Sequence, residues 1–332
     1  MTDIKKLPLV LTVMGLGAVA ANADIKINDN LTTAGFIDMS LNGFTPDKGP
    51  AALNASLDQY ELDFFYKFGN VSARADVNGM PSSDPVPGKP PGSNAAVWVE
   101  QANITGTMGA LAVTAGRFLS SSGWEAAEPT GMFQYSYSKN LFYGYYQNGV
   151  NLSYTQPKFA LYGAVVSDLW NPQEYDLKKS PGFEGQLAVM PMDGITAKVT
   201  YLYQMYDKDL TGKDDQQLLN AWASYAKGSL TVAGEYNLLL DWNTISPNND
   251  STKSKLDDTG NGWLVMANYK FTPVVAATVR YSGNKFSKLD QDTEVTLSPS
   301  FQASPNWLLV AEGKYEIDLK KFDYALESTF SF

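Results

Sequence analysis

The 332-residue sequence has neither cysteine nor histidine. Without cysteine there is no disulfide scaffold, thiolate nucleophile, zinc finger or cysteine-ligated cluster. Without imidazole a Ser-His-Asp triad, a Cys-His pair and an H-E-x-x-H zinc site are all excluded. Most hydrolytic chemistry near neutral pH is thereby closed, and the chain is not expected to be an enzyme or to carry a cofactor or metal. Charge is scarce too, Asp, Glu, Lys and Arg making 18% of residues, against roughly 25% in soluble domains. The balance is acidic, 35 Asp+Glu to 25 Lys+Arg, a net of -10. Nucleic acid is not an expected partner, since its phosphates attract basic surfaces.

Long hydrophobic runs are missing, with one short exception. Lys5 and Lys6 precede a largely apolar run from Leu7 to Ala20, and Ala21-Asn22-Ala23 follows in the small-x-small form of a signal-peptidase site. Residues 1–23 are expected to be a signal peptide. Their removal takes away Lys5, Lys6 and Asp3 and leaves 23 basic and 34 acidic residues, a net of -11. Beyond Ala23 no apolar stretch reaches the roughly 20 residues of a membrane-spanning helix. That excludes a helical membrane protein but not a β-barrel, whose strands are only half hydrophobic.

What is abundant is aromatic residues, 16 Phe, 7 Trp and 19 Tyr, and they fall in period-two segments. In 57–68, Tyr60, Leu62, Phe64, Tyr66 and Phe68 share one face, while Gln59, Glu61, Asp63 and Lys67 share the other. In 322–332 the apolar set is Phe322, Tyr324, Leu326, Phe330 and Phe332, and the alternate set is Asp323, Ala325, Glu327, Thr329 and Ser331. The aromatics gather toward the segment ends, where an apolar ring with a wet hydroxyl or indole N–H suits a headgroup boundary.

The pattern predicts about 16 strands, at 31–42, 56–68, 70–79, 95–106, 109–118, 148–155, 158–168, 183–191, 194–206, 216–226, 229–242, 262–271, 273–283, 292–303, 306–317 and 321–332. Fourteen or eighteen also fit, because Gln134–Ser138 within 119–147 alternates weakly. Tight turns such as Gly69-Asn70, Lys227-Gly228 and Thr272-Pro273 join alternate pairs. Mostly long, polar connections, two of them the proline-rich 80–94 and the Asn- and Asp-rich 243–260, join the others. Short turns on one side and long loops on the other are the topology of an outer-membrane barrel. The expected fold is all-β: one closed antiparallel transmembrane barrel over 24–332.

Gly116-Arg117-Phe118 followed by Gly123-Trp124-Glu125, the aromatic stretch Phe133–Tyr146 leading into Asn148-Gly149-Val150, and a last strand ending Phe330-Ser331-Phe332 together resemble the OmpL-like "porin-2" family of outer-membrane barrels. Family members often carry a histidine near the end of that stretch, where Gln147 and Asn148 stand here. The resemblance implies a barrel and a pore in the cell outer membrane, with lipid around it. It implies an assembly signal at Phe330 and Phe332 for the barrel-assembly machinery. Homotrimers are common among porins of this size.

If the aromatic face meets lipid, the alternate residues line a lumen too wide for side chains to fill. Pore-lining candidates are Glu61, Asp63, Arg74, Lys198, Glu235, Arg280, Glu312 and Lys314, expected either to stay solvated or to brace the wall as ion pairs. Segment 119–147 is the longest connection and is expected either to fold inward, with Arg117, Trp124, Glu125 and Glu128 as constriction candidates facing Arg74 and Arg280, or to pack outside the barrel or against a neighbouring subunit. Opposed charges there would set a transverse field favouring polar solutes. Phe142, Tyr143, Tyr145 and Tyr146 read as membrane girdle before sugar-stacking slide. Asp207-x-Asp209-x-Thr211-Gly212 begins like a calcium loop, but Leu218 stands where the bidentate acid belongs, so it reads as an acidic surface loop. The expected function is passive diffusion of small hydrophilic solutes or ions, with a modest cation preference. The alternatives are a non-conducting barrel acting as adhesin or anchor, a barrel hydrolase, and a secreted carbohydrate-binding β-sandwich.

Overall fold

The computed structural model describes residues 25–45, 50–80, 97–125, 127–140, 146–171, 175–211, 214–244, 256–287 and 291–332. The expected signal segment 1–23 and the aromatics Phe142, Tyr143 and Tyr145 lie outside the described residues. The strands are β1 (Ile25–Lys26), β2 (Leu31–Thr45), β3 (Ala52–Phe68), β4 (Val71–Gly79), β5 (Val97–Met108), β6 (Leu111–Leu119), β7 (Tyr146–Gln156), β8 (Phe159–Val166), β9 (Gly182–Val189), β10 (Ile195–Gln204), β11 (Gln216–Lys227), β12 (Leu230–Thr244), β13 (Leu256–Lys270), β14 (Val275–Phe286), β15 (Asp292–Ser304), β16 (Trp307–Glu316) and β17 (Lys321–Ser331).

From β2 onward each strand pairs antiparallel with the next. Strand β17 returns to β2, from Phe322 opposite Thr45 to Ser331 opposite Phe36. The sheet therefore closes, and no long strand has an unpaired edge to expose. All sixteen expected strands are present. The two-residue β1 carries no readable period; it pairs Ile25 with Thr33 and Lys26 with Thr32. Next to it, Phe332 and Gly35 exchange backbone hydrogen bonds of 2.8 and 2.9 Å. Among the described residues 120–140 form no strand, only a 3-10 turn at Pro129–Gly131, so the long-strand count is 16 rather than 18.

The two faces sort as the alternation requires. Leu62, Phe64, Tyr66, Val199, Tyr201, Val265, Tyr269, Phe322, Leu326 and Phe330 are exposed, while Glu61, Asp63, Lys198, Thr200, Asn268, Glu327 and Thr329 are buried. This inverts a water-soluble protein: the apolar side chains point out and need hydrocarbon around them. Strand β8 departs from the rule, turning Ala160, Tyr162, Ala164 and Val166 inward. The reason is an apolar cluster inside the barrel, where Val166 joins Phe118, Leu169, Leu202, Leu218 and Leu239. Tight turns at 69–70, 109–110, 157–158 and 228–229 share one end with 190–194, 271–274 and 305–306. The opposite end carries the longer connections, except 287–291 between β14 and β15 and 317–320 between β16 and β17.

Candidate functional site: the barrel interior

Strand β6 delivers the chain to the interior. Gly116 has φ +123°, a conformation that glycine adopts without steric cost, and a Cβ there would stand 2.3 Å from the Ala102 carbonyl oxygen. Residues 120–140 then cross the lumen, bonding inward-facing side chains on β3, β9–β12, β14 and β16. Ser120 Oγ donates to Glu184 of β9 at 2.8 Å and Lys198 Nζ of β10 to the Ser121 carbonyl at 2.7 Å. Gly123 N–H donates to Asn220 Oδ1 of β11 at 3.3 Å, and Asn140 Nδ2 to Glu235 of β12 at 2.8 Å. The Tyr135 and Ser136 N–H groups donate to Glu312 of β16 at 3.0 and 3.2 Å, and Gln59 of β3 donates to Glu128 at 2.9 Å. Gly262 of β13 leaves room for this crossing: a Cβ would lie 1.9 Å from the Asn140 carbonyl oxygen.

Two kinds of contact fix the loop. The first is apolar: Trp124 stacks on Phe133, centroids 6.5 Å apart, and meets the Trp222 edge at 5.2 Å. Trp222, Leu264 and Met266 of the wall complete that cluster. The second is ionic. Arg280 donates from Nη1 to Glu125 at 2.6 Å and from Nη2 to Glu294 at 2.9 Å, and it also bonds the Ser136 and Tyr137 carbonyls. The Gln134 carboxamide oxygen, oriented to satisfy both groups, accepts from Nη1 and Nε at 3.0 Å. Glu125 also accepts from Ser138 N–H and Oγ at 3.0 and 2.6 Å. Lys139 reaches Asp292 and Glu316 at 2.9 and 3.2 Å.

Opposite this docked region lies an acidic stretch. Glu61 stands across from Asn78 and Asp63 across from Asp76 on the lumen face of β3 and β4. Arg74 Nε pairs with Asp76 at 2.8 Å, and its guanidinium lies 5.1 Å from the Phe65 ring. The Tyr146 hydroxyl lies 2.6 Å from Glu100 and 2.5 Å from Glu128. Burial, then the neighbouring charge of Glu100, pushes the Glu128 carboxyl up to about 8.

The structure thus brings Trp124, Glu125, Glu128 and Arg280 into the lumen together, and places Glu61, Asp63, Lys198, Glu235 and Glu312 on its wall. Lys314 is there as well, paired with Asp323 at 3.1 Å. Arg117 stands at the end of β6 opposite Ala102, next to the ring of Tyr146, whose hydroxyl lies between Glu100 and Glu128. It donates from Nε to the Glu100 carbonyl at 2.8 Å and lies over the Tyr146 ring at 5.8 Å, bracing the rim. Of the two arrangements expected for the wall charges, Arg280, Lys198 and Glu294, at most 2% exposed, take the bracing one and hold the loop to the wall. The Asp207 acidic stretch does a local task, Asp207 Oδ1 accepting from the Asp209 and Leu210 N–H groups at 3.0 and 3.2 Å.

Sequence reasoning did not single out Lys139, Asn140, Gln59, Glu100, Asn220 or Gly262. The only local signal was the polar alternate set of each strand, which marks a face and not a partner.

A closed antiparallel barrel of sixteen long strands, apolar outside and polar within, defines a channel-type protein of the cell outer membrane. The chain belongs to the family described as beta-barrel porin-2, OmpL-like, whose model matches residues 15–316. The chain is similar to the outer membrane channel DcaP of Acinetobacter baumannii at 12% identity, over 93% of this chain and 100% of that one, with a TM-score of 0.65. It is similar to OmpF of Salmonella typhi at 12%, over 93% and 100%, with a TM-score of 0.66. The anion-selective porin from Comamonas acidovorans matches at 13%, over 91% and 99%, with a TM-score of 0.61. At such identities the likeness is one of fold. No curated protein matches the sequence.

Proposed function

We propose that this outer-membrane porin passes small hydrophilic solutes and cations by passive diffusion, and that loop 120–140 confines the path to the β4–β7 side of the lumen. The observation that carries this reading is an asymmetry in exposure. Under the loop, Asn220 and Asn237 of β11 and β12, Arg280 and Ser282 of β14, and Thr296 and Ser298 of β15 are at most 1% exposed. Across from them Asp76, Asn78 and Gln147 are as deeply buried, but Ser72, Arg74, Thr105, Thr114 and Ser153 remain half-buried. Those hydroxyls offer a solute replacement hydrogen bonds for lost water. Glu61, Asp63, Asp76 and Glu100 crowd the same side, and a wall rich in carboxylates concentrates cations in a narrow mouth.

Assembly as a homotrimer, export through cleavage after Ala23, and delivery by the assembly machinery through Phe330 and Phe332 complete the proposal. One fold neighbour, OmpT of Vibrio cholerae, is described in a trimer form. Single-channel recording of the folded protein in a planar bilayer tests the main point: discrete conductance steps are expected. Their absence would favour the adhesin or anchor reading.

A further inference from the structure

We propose that the lumen pocket between loop 120–140 and the tight-turn end of β13–β16 binds small organic carboxylates with an apolar body, held by Lys270. The pocket has a volume of about 200 Å³, below the roughly 300–1,000 Å³ of sites that take drug-sized ligands. It therefore suits a molecule of one ring or a short chain. Met132 and Phe133 of the loop form one side, and Ala276 and Val310 of the wall add apolar surface. The loop side is fixed without a ligand: Phe133 stacks on Trp124, and its carbonyl accepts from Thr278 Oγ1 at 3.1 Å.

The class of ligand follows from the single charge in the pocket. Lys270 continues the row of buried Leu264, Met266 and Asn268 on β13, and no Asp or Glu lines the pocket with it. Among the described residues Lys270 Nζ has neither an ion-pair nor a hydrogen-bond partner. The acids on the adjoining wall are placed elsewhere. Glu312, the next inward position beyond Val310 on β16, accepts from the Tyr135 and Ser136 N–H groups and from Ser298 Oγ at 3.1 Å. Glu327 of β17 stands opposite Val310, is 4% exposed and does not line the pocket. In a chain with 35 acidic and 25 basic residues, an unpaired lysine in an acid-free pocket reverses the local charge.

A second donor lines the same pocket. Thr272 Oγ1 accepts from the Val274 and Val275 N–H groups at 3.2 and 3.0 Å, and a hydroxyl that accepts twice still has its own proton to give. An ammonium and a hydroxyl together suit a carboxylate, whose charge-assisted hydrogen bonds are roughly twice as strong as neutral ones. Inorganic anions would use Lys270 but leave the apolar surface of Met132, Phe133 and Val310 uncovered, whereas a ring or short alkyl chain removes it from water.

The pocket lies on the β13–β16 side, off the path proposed above, and binding there does not depend on conduction. Radiolabelled benzoate is equilibrated by dialysis with the folded full-length protein in detergent near neutral pH, against protein-free micelles. Saturable binding displaced by hexanoate is expected, with benzamide, which keeps the ring and loses the charge, at least tenfold weaker as a competitor. Lys270→Gln and Ala276→Leu, the second of which fills the pocket, should each weaken benzoate at least tenfold, whereas Lys227→Gln, at another tight turn, should leave it unchanged. Heat-modified gel mobility checks that each variant is folded, and the comparison of benzoate with benzamide needs no variant. No saturable benzoate binding to the unaltered barrel, equal competition by benzamide, full affinity in folded Lys270→Gln, or an equal loss in Lys227→Gln would each overturn the proposal.

Discussion

Arg280 concentrates the interior's energetics in one side chain. Its side chain and that of Glu294 are wholly buried, and Glu125 is nearly so, so each charge depends on the others for compensation. Removing one partner of such a group leaves uncompensated charge, at a cost of about 3–5 kcal/mol. Arg280→Met is therefore expected to lower the unfolding free energy of the barrel by about that amount, read as an earlier urea midpoint. Adding Glu125→Gln should recover part of the loss, because residues in one ion-pair network are not additive. If the double variant is as unstable as the sum of the singles, the pair is not coupled in the way its 2.6 Å contact implies. Gly262 gives the steric counterpart at this scale. Gly262→Val places atoms where the Asn140 carbonyl now sits and should push the end of the loop off β13, seen as noisier open-channel current with the barrel still folded.

At the scale of elements, loop 120–140 behaves as a separately anchored piece within a rigid wall. Its apolar anchor is Trp124 between Phe133 and Trp222, and Trp→Ala at a buried site typically costs about 3–5 kcal/mol. Here the sheet ladders do not depend on Trp124, so the loss should fall on loop attachment. Trp124→Ala is expected to raise single-channel conductance while heat-modified gel mobility of the barrel stays normal; unchanged conductance would show that the loop does not narrow the path. The strands themselves were legible in sequence because each repeats its signal every second residue, with water on one side and hydrocarbon on the other. The loop was legible as long and aromatic, but its partners were not: Glu125 meets Arg280 across 155 positions, and only barrel closure brings them together.

For the whole molecule the governing fact is where charge lies relative to the open path. The net charge of -10 sets only a weak bias, since charges farther apart than about 10 Å at 0.1 M salt are screened. What decides selectivity is the set of groups that a permeating ion approaches closely. On the β10–β16 side the cations Arg280, Lys198 and Lys139 are committed to the loop or to wall carboxylates. On the β3–β5 side Glu61, Asp63, Asp76 and Glu100 face Arg74, itself paired with Asp76. Field lines in a low-dielectric constriction therefore run from permeant cations to this acidic face. In a tenfold potassium chloride gradient across a planar bilayer, the reversal potential is expected to take the sign of cation preference, and to move further that way at lower ionic strength as screening weakens. A reversal potential of anion sign would mean that ions pass on the side of the basic groups, and that the loop leaves open a different wall from the one its hydrogen bonds indicate.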